Sequence, residues 1–131
     1  MKILTKLILL GSILLTTPHA LAKDQNVLEL TNSNYLSKLL TSDKPVLVKF
    51  WASWCRPCRT MTPEFSKAAQ TFKGKVTFAE VNVDTQKQVA QVYQIRSLPT
   101  MILFRKNKII KKSIGSLKQK QIEALVKKSL K

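Results

Sequence analysis

The chain has two cysteines, Cys55 and Cys58, separated by two residues. Thiols at this spacing can form a reversible disulfide, and a thiolate can attack the disulfide of another molecule. A run of apolar and β-branched residues precedes the pair, and a helix-like stretch follows it. This order predicts a strand, a tight turn and a helix start with a cysteine at its tip, where thiol–disulfide chemistry is possible.

The first 22 residues have the pattern of a secretory signal peptide. A positive start and a short apolar core, Leu7 to Leu15, precede a small-x-small cleavage site at Ala20-Leu21-Ala22. The apolar run is well short of the roughly 20 residues that a membrane-spanning helix needs, although an uncleaved anchor is the alternative. We therefore predict cleavage after Ala22, export to the periplasm and a single domain over residues 23–131.

The chain is strongly basic, with 23 Lys and Arg against 7 Asp and Glu, a net charge of +16. Loss of residues 1–22 would remove Lys2, Lys6 and His19, so the charge becomes +14 and no histidine remains. Such a domain has no Cys–His nucleophilic pair, and two cysteines cannot supply the four ligands of a structural zinc site. We expect no metal and no cofactor.

The positive charge has its own functional interpretation. It favours acidic partners or an anionic membrane surface. A nucleic-acid partner is disfavoured, because the sequence shows no basic motif interleaved with aromatic residues.

Strand-like and helix-like stretches alternate around the cysteines. Strands are predicted at residues 27–30, 46–52, 76–83, 100–104 and 109–114. Helices are predicted from a cap at Thr31 or Ser33 to residue 41, over 58–72, after a cap at Asp84 or Thr85, and over 116–130. The order predicts an α/β fold with a central mixed sheet and helices on both faces.

Several features of these elements make finer predictions. The second strand, apolar except for Lys49, should lie at the centre of the sheet. Pro63 should interrupt and kink the second helix. Asn107 should take a positive φ in a hairpin turn between the last two strands. The last helix should face the core with four residues, Ile122, Leu125, Val126 and Leu130.

The sequence around the cysteines resembles the thioredoxin family. The shared residues are Phe50-Trp51-Ala52-x-Trp54-Cys55-x-Pro57-Cys58, Pro63, Val81 to Asp84, Ile95 to Thr100, and Gly115. The resemblance extends from Asn26 to Leu130 and implies a thioredoxin fold with thiol–disulfide oxidoreductase activity. It also implies protein disulfide or dithiol substrates and, as in exported relatives, a membrane electron transducer as redox partner. We expect a monomer.

The resemblance also implies roles for individual residues. Cys55 would be the nucleophile, at a helix N-terminus where the dipole favours a thiolate. Cys58 would be the resolving cysteine, which releases the substrate from a mixed disulfide. Trp54, Leu98 and Pro99 would form the substrate-binding surface, with a cis bond before Pro99 and an extended substrate beside Leu98.

Three positions depart from the family pattern. Arg56 takes the place of the usual glycine before Pro57. Lys49 takes the place of a buried aspartate, and Glu80 that of the lysine paired with it. We expect Lys49 and Glu80 to form an ion pair with exchanged charges, in which one of them transfers the proton of the resolving cysteine. The alternative is that Lys49 reaches solvent and Glu80 is an unrelated surface residue.

The cations near the sulfurs bear on the reduction potential. Arg56, Arg59 and Lys49 should favour the thiolate and hence the reduced protein, while Pro57 suits the first turn of the helix. The pair should then be more oxidising than that of an ordinary thioredoxin.

We predict a periplasmic protein-disulfide reductase that acts through Cys55-Arg56-Pro57-Cys58. The thioredoxin-like length, with no inserted helical domain, favours a reductant, whereas the cations favour a dithiol oxidase or isomerase of the same fold. A basic binding protein with a structural disulfide is the other alternative, although so short a loop gains little entropic stabilisation from a crosslink.

Overall fold

The computed structural model describes residues 23–131, so the predicted signal peptide lies outside the described residues. The elements follow in the predicted order. They are β1 (Val27–Glu29), α1 (Tyr35–Thr41), β2 (Val46–Trp51), α2 (Arg56–Thr71), β3 (Thr77–Asn82), α3 (Lys87–Val92), β4 (Thr100–Arg105), β5 (Lys108–Ile114) and α4 (Gln119–Lys127). In residues 23–131 no helix combines the length and the apolar character needed to cross a membrane.

The five strands form one mixed sheet in the order β1-β3-β2-β4-β5. Strand β3 runs parallel to β1 and β2, whereas β4 runs antiparallel to β2 and β5. Strand β2 lies at the centre, and its first five residues are buried. The predicted α/β class with a mixed central sheet is confirmed, and β2 carries the chain to the cysteines.

The core consists of two layers, one on each face of the sheet. On one face α2 and α4 cover Leu47 and Phe78, and the rings of Phe65 and Phe78 lie 5.1 Å apart, edge to face. On the other face α1 and α3 cover Val48 and Phe50. Burial of each such side chain contributes about 1.5–3 kcal/mol, so both layers hold β2 rigidly in place.

Helix α2 begins at Arg56, two residues earlier than predicted. Cys55 is its N-cap, with extended backbone angles and a side chain that accepts a hydrogen bond from the Cys58 N–H. Pro57 fits the first turn because backbone N–H groups there make no hydrogen bond within the helix, so a proline without an N–H loses none. A single helix continues through Pro63, so the predicted interruption was wrong.

The start of α1 also differs from its prediction. Its N-cap is Asn34 rather than Thr31 or Ser33. The Asn34 side chain accepts a hydrogen bond from the Thr31 N–H at 2.8 Å, and the Asn34 N–H donates back to the Thr31 carbonyl. These local bonds form a turn over residues 31–34 that delays the helix.

A similar turn precedes α3, whose N-cap is Gln86 rather than Asp84 or Thr85. The Asp84 N–H donates to Asn82 Oδ1 at 3.0 Å, and the resulting turn occupies the residues expected to cap the helix. At the other end of the chain, Leu130 is exposed and Ser129 is buried, so the predicted inward position of Leu130 was wrong. Helix α4 ends at Lys127, before Leu130 can join its apolar face.

The β4–β5 hairpin turns through Lys106 and Asn107, whose φ angles are 48° and 62°. Positive φ at both positions is the geometry of a tight two-residue hairpin, and the prediction for Asn107 is confirmed. Strand β5 is the edge of the sheet and is largely exposed.

Candidate active site

Cys55 and Cys58 form a disulfide, with their Cα atoms 5.3 Å apart. Both are buried, and together with Ala52 they form a small apolar cluster at the end of β2. The Cys58 N–H donates to Cys55 Sγ at 3.3 Å, at the N-terminus of α2. A backbone N–H and a helix N-terminus are groups that favour an anionic sulfur.

The first turn of α2 carries two cations and no acid. Arg56 is exposed directly beside Cys55. Arg59 Nη1 donates to the Ser53 carbonyl at 2.7 Å, which ties the helix to the turn that leads into the cysteines. Both cations add to the positive potential of the helix N-terminus.

Trp54 stands beside the disulfide and is 68% exposed. Its indole Nε1 donates to Asp84 Oδ2 at 2.9 Å, so a residue after β3 fixes the orientation of the ring. Sequence reasoning considered Asp84 only as a helix cap, because its place beside Trp54 depends on the parallel pairing of β2 with β3, which brings the ends of these strands together. Trp51, by contrast, packs against the cysteine cluster, and its buried Nε1 has no hydrogen-bond partner within residues 23–131.

The loop before β4 closes the other side of the site. The Leu98–Pro99 bond is cis, as expected. Leu98 and Val83 are partly buried and pack against the cysteine cluster. An exposed indole, two buried sulfurs and an apolar loop therefore meet at one surface, which suits an extended polypeptide better than a small molecule.

Lys49 and Glu80 form the expected ion pair. They are neighbours in the parallel register of β2 and β3, with Lys49 Nζ 3.0 Å from Glu80 Oε2. The Lys49 side chain is 2% exposed and that of Glu80 is 25% exposed, so the alternative in which Lys49 reaches solvent is wrong. The Lys49 ammonium also lies 4.8 Å from the centre of the Phe65 ring on α2. A buried cation therefore lies beneath α2, the helix that Cys55 caps.

A second carboxylate belongs to the surroundings of Lys49. The pKa of Asp24 lies below its ordinary value, chiefly because the nearby Ser66 side chain favours the carboxylate form. The Asn26 N–H, 2.9 Å from Asp24 Oδ1, and the positive charge of Lys49 act in the same direction. The segment before β1 thus adds an acid to this side of the sheet.

Two other properties of residues 23–131 limit the chemistry. These residues contain no group of three His, Cys, Asp or Glu side chains able to hold a metal ion. A groove of about 740 Å³ between residues 23–34 and the end of α2 contains neither cysteine. The disulfide is therefore the reactive group from which we infer the function.

This architecture defines a class of protein. A cysteine pair that spans the N-cap and first turn of a helix, beside an exposed indole and an apolar loop, is a thiol–disulfide oxidoreductase site. The thioredoxin family model matches residues 26–128. The chain belongs to the thioredoxin family, and the predicted thioredoxin fold is confirmed.

Similar proteins support the same conclusion. A thioredoxin of Chlorobaculum thiosulfatiphilum is 40% identical over 94 residues, which cover 72% of this chain and 87% of that protein. A thioredoxin of Mycoplasma pneumoniae is 42% identical over 100 residues, 76% of this chain and 97% of that protein. The crystal structure of a Malassezia sympodialis thioredoxin matches with a TM-score of 0.72 and 31% identity, covering 80% of this chain and 91% of that one.

Proposed function

We propose that this thiol–disulfide oxidoreductase is a protein-disulfide reductase of the periplasm. The observation that carries the proposal is the Cys55–Cys58 disulfide at the N-terminus of α2, beside the exposed Trp54. An indole and an apolar loop around a reactive sulfur provide a surface on which an unfolded or extended segment can lie.

The reaction begins with the reduced pair. The Cys55 thiolate attacks one sulfur of the substrate disulfide, forming a mixed disulfide and releasing the other substrate sulfur as a thiolate, which takes up a proton. Cys58 then loses its proton and attacks Cys55 Sγ, which releases the second substrate sulfur. Two electrons pass to the substrate, and the protein ends as the Cys55–Cys58 disulfide.

Proton removal from Cys58 is the step assigned to the Lys49–Glu80 pair. Glu80 is partly exposed, so it can exchange protons with solvent, while Lys49 is buried beneath α2. In this proposal Glu80 accepts the proton and Lys49 holds the carboxylate in position. The 3.0 Å separation of the pair and its place beside α2 support that arrangement.

Export determines where the electrons come from. The signal-like pattern of residues 1–22 supports cleavage after Ala22 and a periplasmic location. A cytosolic reductase cannot reach that compartment, so a membrane electron transducer would regenerate the dithiol of a monomeric protein. The redox state of Cys55 and Cys58 in cells with and without the transducer tests this part of the proposal, because loss of the transducer should leave the pair oxidised.

A turbidity assay tests the reductase activity. With dithiothreitol as the terminal reductant, the protein should accelerate reduction and precipitation of insulin, and Cys55→Ser should abolish the acceleration. Cys58→Ser should instead accumulate the mixed disulfide, visible on a non-reducing gel. Wild-type protein that gives only the dithiothreitol background would overturn the proposal.

Two alternatives have specific support. The cations Arg56 and Arg59 beside the pair favour a dithiol oxidase or isomerase, which reoxidation of a reduced, unfolded substrate would detect. The exposed lysines and isoleucines of β5 favour a binding role on an anionic membrane or acidic partner. Salt-dependent retention on anionic vesicles, unchanged by Cys→Ala substitutions, would identify that role.

A further inference from the structure

A groove of about 490 Å³ lies between α3 and the segment that leads to the cis Leu98–Pro99 bond. Four polar residues line it, and all four are exposed. They are Lys87, Gln91, Gln94 and Arg96. Its remaining lining is apolar, from Val83, Ala90 and Ile95.

The groove carries two positive charges and no negative one. Within residues 23–131, neither Lys87 nor Arg96 belongs to a salt bridge. The nearest acid in sequence, Asp84, does not line the groove and instead accepts the hydrogen bond of Trp54. Two cations and two side-chain amides are donors suited to a carboxylate.

The groove is continuous with the redox site. Val83 lines the groove and also packs against the cluster that contains both cysteines. Arg96 lines it as well, two residues before Leu98, which packs against the same cluster. A polypeptide whose sulfur reaches Cys55 can therefore extend along the surface towards this groove.

The turn that follows α3 forms one wall of the groove. Helix α3 ends in a turn in which the Gln94 N–H donates to the Gln91 carbonyl and the Ile95 N–H to the Ala90 carbonyl. Gln94 has a φ of 50°, the left-handed region, which is costly for a residue with a Cβ atom. Gln94 therefore places an amide side chain in the groove, whereas a glycine, which adopts this φ more easily, would provide no side chain.

We infer that the groove formed by Lys87, Gln91, Gln94 and Arg96 selects disulfide substrates that carry an Asp or Glu near the reacting cysteine. The inference deepens the proposed function and rests on it. An extended chain advances about 3.3 Å per residue, so only an acid close in sequence to the reacting cysteine can reach a groove that borders the redox site. The acidic residue interacts with Lys87 and Arg96 while the neighbouring sulfur exchanges with Cys55.

The test uses two isomeric peptides of identical composition, each with one internal disulfide. One places two aspartates beside a cysteine, and the other places them at the far terminus. Reduction by the full protein is followed by chromatography, with dithiothreitol regenerating the dithiol. We expect a kcat/KM about fivefold higher for the first peptide at low salt, falling towards equality at high salt.

Two double variants test whether the preference for the first peptide arises from the groove. Lys87→Gln combined with Arg96→Gln should remove the preference while the far-terminus peptide is still reduced at the wild-type rate. The matched control, Lys67→Gln with Lys120→Gln, makes the same change in net charge on the opposite face of the sheet and should keep the preference. These two control lysines are exposed on α2 and α4.

The outcomes separate the two proposals. If the wild-type protein reduces both peptides equally, or if the control variant loses the preference as fully as the groove variant, the groove inference is wrong and the reductase proposal stands. If neither peptide is reduced faster than by dithiothreitol alone, the reductase proposal itself fails.

Discussion

At the residue scale, the proposed proton path depends on a buried ion pair between two strands. Lys49 is buried on β2 with Glu80 as its partner, and Glu80 alone of the two reaches solvent. A proton leaving the resolving cysteine needs an acceptor that can pass it onward, and a partly exposed carboxylate meets that need.

Replacing Glu80 should therefore separate the two chemical steps. We expect Glu80→Gln to slow resolution of the mixed disulfide by about tenfold or more, while the attack by Cys55 changes much less. Single-turnover kinetics with a peptide disulfide measure both steps. Glu29→Gln is the matched control, because Glu29 occupies the neighbouring register position on β1 but pairs with Lys23. Equal slowing of attack and resolution would refute the role of Glu80.

Asp24 predicts a pH dependence of stability. Its pKa is lowered in the folded protein, chiefly by the Ser66 side chain, from an ordinary value of 3.8. The folded state therefore gains stability from the ionised form above pH 3.8 and loses it as the pH falls through the lower folded-state pKa. Asp24→Asn should make the free energy of unfolding fall less steeply as the pH is lowered. Urea unfolding between about pH 2 and 6 measures this dependence. Asp43 lies in an exposed turn, so Asp43→Asn should not change how the free energy of unfolding depends on pH.

At the scale of elements, the same ion pair links the two central parallel strands. Its partners differ in burial, so their removal should differ in cost. Glu80→Gln leaves a charged Lys49 buried without a counter-ion and should lower the free energy of unfolding by about 3 kcal/mol. Lys49→Met leaves a carboxylate that water can solvate and should cost about 1 kcal/mol or less.

Urea unfolding of the oxidised protein measures both losses. The exchange Lys49→Glu with Glu80→Lys restores a pair across β2 and β3 and should recover most of the stability lost in Glu80→Gln. Equal losses for the two single variants would show that the difference in burial has no energetic effect.

Strand β5 poses a different problem, because it is an exposed edge with apolar side chains. Ile109, Ile110 and Ile114 are 55%, 46% and 65% exposed. The same strand carries three lysines, Lys108, Lys111 and Lys112. Charged residues on an edge strand oppose pairing with another chain. Lys111→Thr with Lys112→Thr should therefore promote self-association, which light scattering against concentration detects. The same two changes at Lys67 and Lys120 should have no such effect, and association in both variants would point to net charge rather than to the edge.

At the scale of the whole molecule, the positive field bears on the redox equilibrium. We expect Arg56, Arg59 and buried Lys49 to stabilise the thiolate and hence the reduced protein. We expect a reduction potential above the value of about −270 mV typical of thioredoxin, measured by equilibration with glutathione. Arg56→Gly should lower it by on the order of 10–20 mV, since an exposed charge is worth at most about 1 kcal/mol. A wild-type value at or below about −270 mV would contradict the expectation.

Residue types and their spacing along the chain were enough to predict the chemistry and the fold class. A single cysteine pair in a Trp-Cys-x-Pro-Cys context indicated disulfide exchange, and the alternation of apolar strands with amphipathic helices indicated the mixed sheet. These signals are local, because periodicity and residue type act over one element. They did not locate the caps of α1 and α3, where neighbouring polar side chains compete for the same N–H groups.

Tertiary structure decided what surrounds the sulfurs. The family resemblance suggested that Lys49 pairs with Glu80, but only the register of β2 on β3 brings them to 3.0 Å with one buried and one partly exposed. The Trp54–Asp84 hydrogen bond and the groove between Lys87 and Arg96 join residues from separate elements. Such contacts depend on how strands and loops meet in space, which no spacing along the chain encodes.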